Sequence, residues 1–205
     1  VIEGRELRAT RAATEAGAGT CIGRPVEGNV VRVIAIRDEA IADWSEVREL
    51  EAGEIGEITV AGPSATDAYF GRPEATALAK IAERLADGST RIVHRMGDLG
   101  WFDDRGRLWF CGRKSQRVET AAGPLYTDCV EPVFAAHPEV RRAALVGIGP
   151  RGRQRPVLCV EAEPGVSRSA RGRIIEALRR IGRAHRPTAS IDTFLFHPRF
   201  PVDIR

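Results

Sequence analysis

The sequence predicts an α+β protein in which a strand-rich first part precedes a smaller mixed domain. Two observations support this. Residues 91–113 contain three short runs rich in β-branched, aromatic and aliphatic side chains, and turns with glycine or aspartate separate them. After residue 113 the pattern changes to helix, strand, strand, helix and strand. This order of helices and strands is typical of a compact α+β domain.

Composition excludes several classes of protein. The 205 residues are 43% hydrophobic, which is enough for a globular core. The chain has no apolar run of the roughly 18 residues that a membrane helix needs, and residues 1–24 do not resemble a signal peptide. The net charge of +3 comes from scattered arginines, without the basic stripe of nucleic-acid binders. We therefore expect a cytoplasmic protein with no membrane span and no nucleic-acid partner.

The cysteines and histidines predict neither a metal site nor a disulfide framework. The cysteines are far apart and form no C-x-x-C motif: Cys21, Cys111, Cys129 and Cys159. The four histidines also lack the spacing of metal ligands. We expect reduced cysteines in the core and no structural metal.

The first ninety residues predict two strands and one helix. Residues 1–20 are polar and are expected to be mostly loop. Strands are predicted at 30–36 and 56–60, where aliphatic residues cluster. A helix is predicted to begin at Pro73 and to carry an apolar face as far as Leu85, before Gly88 ends it.

Residues 91–113 predict three strands joined by two turns. The strands are expected at 91–95, 99–102 and 108–111. Residues 96–98 form the first turn and residues 103–106 the second, each with a glycine that eases the reversal. Aspartate 98 is therefore expected on a turn and not inside a strand ladder.

The predicted position of Asp98 has two interpretations. A carboxylate held at a strand end can accept hydrogen bonds from both hydroxyls of a ribose. Alternatively, Gly97-Asp98-Leu99-Gly100 is an ordinary turn whose aspartate binds its own backbone. These four residues alone do not separate the two.

The second part predicts five main elements. A hairpin is expected within 117–126, followed by a helix that ends near His137 and tolerates Pro132 only in its first turn. A core strand is predicted at 157–161. An amphipathic helix is expected to be capped by Ser169 and stopped by Gly182, and a last strand is expected at 193–196.

A longer ordered pattern resembles the AMP-forming adenylating enzymes, which include acyl-CoA synthetases, luciferases and peptide-synthetase adenylation domains. Its members are Gly97-Asp98-Leu99-Gly100, Asp103, Gly106, Leu108, Phe110 and Gly112-Arg113. The resemblance implies that Asp98 binds the ribose hydroxyls and that Arg113 contacts the nucleotide. It also implies ATP as the cofactor, together with Mg²⁺.

The same resemblance implies a division of the chain into domains. Residues 1–111 would be the C-terminal part of the large AMP-binding domain, 112–117 a hinge, and 118–205 an incomplete small lid domain. Lys114 and Ser115 fall in the hinge, and Ser115 stands where the family has a pivot aspartate. We expect this substitution to change the energetics of the pivot.

The resemblance implies that the chain lacks part of the chemistry. The family's catalytic lysine follows a loop that begins here at Phe200-Pro201, and it would lie beyond Arg205. The family's phosphate-binding loop would precede Val1. We therefore expect no catalytic residue in this C-terminal portion and no turnover by it alone.

Further motifs resemble one branch of the family, the β-lactone synthetases of bacterial long-chain olefin biosynthesis. They are 4–10, 119–126, 157–161 and 200–205. The branch implies activation of a long-chain β-hydroxy acid as its adenylate, lactone closure and, as partners, other olefin-pathway enzymes. Two alternatives stay open: a fatty acyl-CoA ligase, or a non-catalytic module that binds nucleotide or a partner.

Overall fold

A computed structural model describes residues 1–201 and shows the expected mixture of helices and strands. The α-helices are α1 (Gly4–Glu15), α2 (Pro73–Ala79), α3 (Thr127–Ala135) and α4 (Arg171–Ala184). The strands are β1 (Thr20–Gly23), β2 (Val30–Ile34), β3 (Gly56–Ala61), β4 (Lys80–Arg84), β5 (Thr90–Phe102), β6 (Leu108–Arg113), β7 (Val118–Thr120), β8 (Gly123–Leu125), β9 (Val140–Ile148), β10 (Arg155–Ala162) and β11 (Thr193–Phe196).

Contacts along the chain divide it into two compact units. Residues 1–8 and 21–115 form the first unit, and residues 9–20 and 116–205 form the second. The last boundary falls within the expected hinge, 112–117. That this stretch acts as a pivot stays a prediction.

The first unit is built on a six-stranded sheet with the long strand β5 near its centre. The strand order is β1-β6-β5-β3-β2, and β4 also pairs with β5. The pairs from β2 to β6 are antiparallel. One face packs on a cluster that includes Ile34, Ile41, Ile81 and Val93. Burying these aliphatic side chains stabilises the sheet that carries the candidate site.

The helix predicted from Pro73 to Leu85 is wrong in its second half. It ends at Ala79, and the next five residues form β4. Ile81 is fully buried and lies opposite Val93 in an antiparallel pair. The apolar spacing fits a helix, but pairing with β5 gives these backbone groups a ladder, and this tertiary contact outweighs the local preference.

The first residues are more regular than expected, because α1 replaces the predicted loop. Its sequence, GRELRATRAATE, is rich in good helix formers. Arg11 and Glu15 form an i,i+4 ion pair of 2.7 Å near its end. The loop was predicted from the polar composition of this segment, which does not exclude a helix.

The second unit is a three-stranded sheet covered by two helices. Strand β10 lies in the middle, antiparallel to β9 and parallel to β11. The core between the sheet and helices α3 and α4 includes Phe134, Leu158, Ile174 and Leu178, all fully buried. The predicted hairpin is confirmed as β7 and β8, and the last strand is confirmed as β11.

Residues 9–20 also contribute to the second unit. A side chain added at Gly17, where φ is +93°, would lie 2.9 Å from the carbonyl oxygen of Cys129. The hydroxyl of Thr20 donates to the carboxylate of Asp128 over 3.4 Å. This early segment therefore packs closely against α3.

Three details of the helices in the second unit differ from expectation. Pro132 is the sixth residue of α3, outside its first turn, where the buried Val133 and Phe134 hold the helix in place. Gly182 lies inside α4, and a Cβ there would come within 3.1 Å of the Phe134 ring. Ser169 lies in a 3₁₀ turn and does not cap α4. Packing explains the first two.

Within residues 1–201, no helix combines the length and the apolar composition needed to cross a bilayer. The expected cytoplasmic location stays a prediction. All four cysteines are free thiols, and three of them are buried, as expected for reduced core cysteines.

Candidate functional site

Asp98 lies in a bulge of one continuous strand, and the predicted turn at 96–98 is wrong. Strand β5 runs through this point. Arg95 pairs with Thr59 and Leu99 pairs with Glu57, so four steps along β5 face two steps along β3. The surplus residues form the bulge, and Gly97 adopts a φ of +68° there.

Strand β6 carries a second irregularity directly opposite. Asp98 pairs with Arg113 and Leu99 with Gly112, but Gly100 pairs with Phe110, so β6 has one extra residue. Gly112 has a φ of +118°. Asp98 and Arg113 are direct partners in this antiparallel pair, so their side chains lie side by side.

Asp98 and Arg113 form a half-buried ion pair. Oδ1 of Asp98 lies 2.8 Å from Nη1 of Arg113, and the aspartate side chain is 19% exposed against 57% for the arginine. Oδ1 itself is buried, and no N–H or O–H group in the described part of the chain is aligned to donate to it. The 2.8 Å approach is therefore a charge contact and not an aligned hydrogen bond.

The surroundings of Asp98 disfavour its charged form. Burial raises the pKa of this carboxyl above its ordinary value, although the nearby Arg113 guanidinium works in the opposite direction. The Arg113 guanidinium is a close charge partner of this oxygen, and a ligand hydroxyl would add an aligned hydrogen bond to it. Asp98 is thus suited to accept hydrogen bonds from hydroxyl groups, and Arg113 offers a cation beside it.

Lys114 and Ser115, expected in a hinge, lie in a 3₁₀ turn that follows β6 directly. The Lys114 side chain is anchored within the first unit. Its Nζ lies 3.0 Å from Oε1 of Glu57 and donates to the carbonyl oxygen of Arg37 over 3.0 Å. The lysine is therefore tied down immediately before the boundary between the two units.

Sequence reasoning did not identify Glu57 as part of this region. It was seen only as one residue of a strand, yet its side chain is 1% exposed and also pairs with Arg95 over 2.7 Å. A charged residue inside a short apolar strand, Gly56–Ala61, was the one available signal.

Glu131 is a buried carboxylate of the second unit, and no role was assigned to it from the sequence. Burial raises its pKa to about 7, although a hydrogen bond from the Leu145 backbone N–H opposes the shift and the nearby Asp128 adds to it. The N–H of Leu145 donates to Oε1 over 2.9 Å. Glu131 thus ties α3 to β9.

The remaining expectations concern metals and the end of the chain. In residues 1–201, no group of three or more histidine, cysteine, aspartate or glutamate side chains could hold a metal ion. Of the motif 200–205, only Phe200 and Pro201 are described, so Val202–Arg205 lie outside the described residues.

Sequence comparison finds close relatives over the whole chain. It is 65% identical over 204 residues to the olefin beta-lactone synthetase of Xanthomonas campestris pv. campestris. It is also 65% identical over 205 residues to the olefin beta-lactone synthetase of Stenotrophomonas maltophilia. Each match covers 100% of this chain and 37% of the relative. The chain thus spans little more than a third of these relatives' length, and no family model matches it.

Structural comparison agrees with the sequence. The amide bond synthetase McbA from Marinactinospora thermotolerans superposes with a TM-score of 0.67 at 28% identity, and the match covers 89% of this chain and 33% of that one. The α+β fold expected from the sequence is therefore confirmed. By sequence along its whole length and by fold, the chain belongs to the AMP-forming adenylating enzyme superfamily.

Proposed function

We propose that this chain is part of an ATP-dependent enzyme that activates a long-chain β-hydroxy acid and closes it to a β-lactone. The observation that carries the proposal is the buried Oδ1 of Asp98, which lacks an aligned donor, next to the Arg113 guanidinium. The 65% identity to olefin beta-lactone synthetases supports the choice of reaction.

In the first step, a carboxylate oxygen of the acid attacks the α-phosphorus of ATP and pyrophosphate leaves. In the second step, the β-hydroxyl oxygen attacks the acyl carbon, loses its proton and displaces AMP. Asp98 would accept hydrogen bonds from the ribose hydroxyls throughout, because both steps keep the nucleoside in place. Arg113 would stay beside the nucleotide, where its positive charge favours an anionic ligand.

The proposal includes Mg²⁺ because this ion usually binds to the phosphates of ATP. A magnesium ion bound to a triphosphate needs only one or two protein carboxylates. The described residues form no metal cluster of their own, and none of them is assigned to the ion. Residues 112–117, with Lys114 and Ser115, are proposed as the hinge between the two units.

The proposal is tested in a chimera that keeps this chain intact. Residues 1–205 would replace the matching segment of the Xanthomonas campestris enzyme. We expect the chimera to release pyrophosphate from ATP and to form lactone from a long-chain β-hydroxy acid. Asp98→Asn in the chimera should lower kcat/KM for ATP by about tenfold to a hundredfold, the weight of one or two lost hydrogen bonds to a charged group.

The same assay separates the alternatives. A thioester formed only when coenzyme A is added would identify an acyl-CoA ligase in place of a lactone synthetase. A folded chimera that binds AMP but releases no pyrophosphate would favour the non-catalytic module. The isolated chain, in contrast, is expected to show no turnover with ATP and acid.

A further inference from the structure

A single buried carboxylate contacts the strand that carries Asp98 and the turn that directly follows Arg113. Glu57, on the neighbouring strand β3, accepts from Nη2 of Arg95 over 2.7 Å and from Nε over 3.1 Å, both at Oε2. Its Oε1 lies 3.0 Å from Nζ of Lys114. The side chains of Glu57 and Arg95 are each 1% exposed. Charges this deeply buried are stable only when their partners stay in place.

Backbone carbonyl groups complete the network around the two cations. Arg95 donates to the carbonyl oxygens of Glu39 over 2.7 Å and Leu78 over 3.1 Å. The carbonyl oxygen of Arg37 accepts from both Arg95 and Lys114. The carboxylate, the two cations and the carbonyls therefore form one interlinked set of hydrogen bonds, which resists displacement of any single member.

The positions of these cations along the chain link the network to the candidate site. Arg95 precedes Asp98 by three residues on β5, and Lys114 directly follows Arg113 at the end of β6. The bulge that presents Asp98 begins after Arg95 and ends at Leu99, which pairs with Glu57 itself. Glu57 thus contacts the start of the bulge through the Arg95 side chain and the end of the bulge through its pairing with Leu99. Its contact with Lys114 reaches the residue next to Arg113.

We propose that Glu57 is a positioning residue for nucleotide recognition, because its contacts with Arg95 and Lys114 set the separation between Asp98 and Arg113. The inference rests on the proposed function, since it assumes that Asp98 receives the vicinal diol of a nucleoside monophosphate while Arg113 lies beside the nucleotide. Glu57 acts through its two cations and does not touch the ligand.

The test compares AMP with 2′,3′-dideoxy-AMP, which lacks the diol, on the purified chain of 205 residues. Dissociation constants would be measured by ligand-observed NMR. Wild type is expected to prefer AMP by about tenfold, the weight of one charge-assisted hydrogen bond. Lys114→Met is expected to reduce this preference to about twofold or less. Lys114→Arg, which keeps a cation against Glu57, should retain most of it.

Arg91→Met is the matched control. Glu83 is shared by Arg32 and Arg91 just as Glu57 is shared by Arg95 and Lys114, and in each case the variant removes the more exposed cation. Arg91→Met should cost stability of similar size yet leave the preference for AMP unchanged. A loss caused by general destabilisation would appear in both variants.

The outcomes separate this inference from the proposed function. If wild type prefers AMP and Lys114→Met keeps the full preference, the positioning role is refuted while the nucleotide site stands. If Arg91→Met loses the preference as Lys114→Met does, the effect is general and the positioning role is also refuted. If wild type binds both nucleotides equally, Asp98 does not receive the diol and both proposals fall.

Discussion

Asp98 and Arg113 are direct partners across the β5–β6 ladder, and each lies next to a glycine with a positive φ. Directly opposite residues of an antiparallel pair have neighbouring side chains, and this pairing brings the carboxylate and the guanidinium to 2.8 Å. The site therefore depends on the register of β5 against β6 as well as on the two side chains.

Asp98→Asn should separate binding from stability. The asparagine keeps the shape of the side chain but removes a charge that burial disfavours, since the pKa of Asp98 is raised. An acid with a raised pKa costs the folded state stability as the pH rises through that pKa. We expect the variant to be at least as stable as wild type at pH 7 in urea unfolding, while AMP binding weakens about tenfold.

Asp104→Asn, at an exposed turn position in the same unit, is the control and should change neither quantity. A variant at Asp98 that unfolded more easily and still bound AMP normally would contradict this account.

Glu131 should make the stability of the protein depend on pH. Its pKa is 4.5 in a model peptide and about 7 in the fold, so the folded state binds more protons between these values. The free energy of unfolding should therefore fall as the pH rises from about 4.5 to about 7. Glu131→Gln keeps an acceptor for the Leu145 N–H. It should be about 3 kcal/mol more stable than wild type at pH 8 and only about 1 kcal/mol more stable at pH 5.

Urea unfolding at the two pH values measures this difference. Glu176→Gln, at an exposed position on α4, is the control. Parallel pH profiles for wild type and Glu131→Gln would show that the carboxyl is not perturbed.

The ion pair of Arg32 and Glu83 should stabilise the first unit more at neutral pH than at acidic pH. Hydrogen bonds from Arg32 lower the pKa of Glu83 to about 2, against the opposing effect of burial. An acid with a lowered pKa stabilises the fold above its ordinary pKa of 4.5, and this stability is lost as the pH falls toward 2. Arg32→Met should lower the free energy of unfolding by about 2 kcal/mol at pH 7 and by less at pH 3.

Thermal and urea unfolding across this pH range give the readout. Arg48→Met is the control, because Arg48 meets Glu54 at 3.9 Å in an exposed pair and should matter little. An effect of Arg32→Met that stayed constant down to pH 2 would mean that packing against Trp44, whose ring centroid lies 3.5 Å away, dominates instead.

Asp103 should stabilise the β5–β6 turn. Its carboxylate accepts from the backbone N–H groups of Arg105 and Arg107 over 3.0 and 2.9 Å and from Nε1 of the buried Trp109 over 3.0 Å. Asp103→Ala leaves these donors without their acceptor and should cost about 2–3 kcal/mol of unfolding free energy. The stacked pair of Trp101 and Trp109 provides a near-ultraviolet circular dichroism signal for the change. The exposed neighbour Asp104, replaced by alanine, should leave the unfolding midpoint unchanged.

Local patterns predicted the elements whose signals are self-contained. The turn at 103–106 is present, with Gly106 at a φ of +68°. The hairpin β7–β8 closes over two residues, and β11 has the predicted bounds. In each case the turn glycines or the apolar run determine the conformation without help from distant residues.

Elements that depend on distant partners were predicted less well. Lys80–Arg84 looks like the end of a helix, and only the presence of β5 beside it explains a strand. Gly97 looks like a turn residue, because a positive φ is common to turns and bulges. Glu57 was predicted only as one residue of a strand, since nothing near it in sequence reveals Arg95 or Lys114. An ordered motif singled out Asp98 and Arg113, and the two residues are neighbours in the structure, while their roles in nucleotide binding stay a prediction.

The early segment 9–20 has a consequence for how such proteins can be recombined. Gly17 fits under the Cys129 carbonyl, and Thr20 reaches Asp128, so the segment is matched to residues more than a hundred positions later. A single crossover near Ser115 between two relatives would combine residues 9–20 of one protein with the later residues of the other. The two segments that pack together in each hybrid would then come from different proteins. Libraries that also move residues 9–20 with the later part should yield a larger share of folded hybrids.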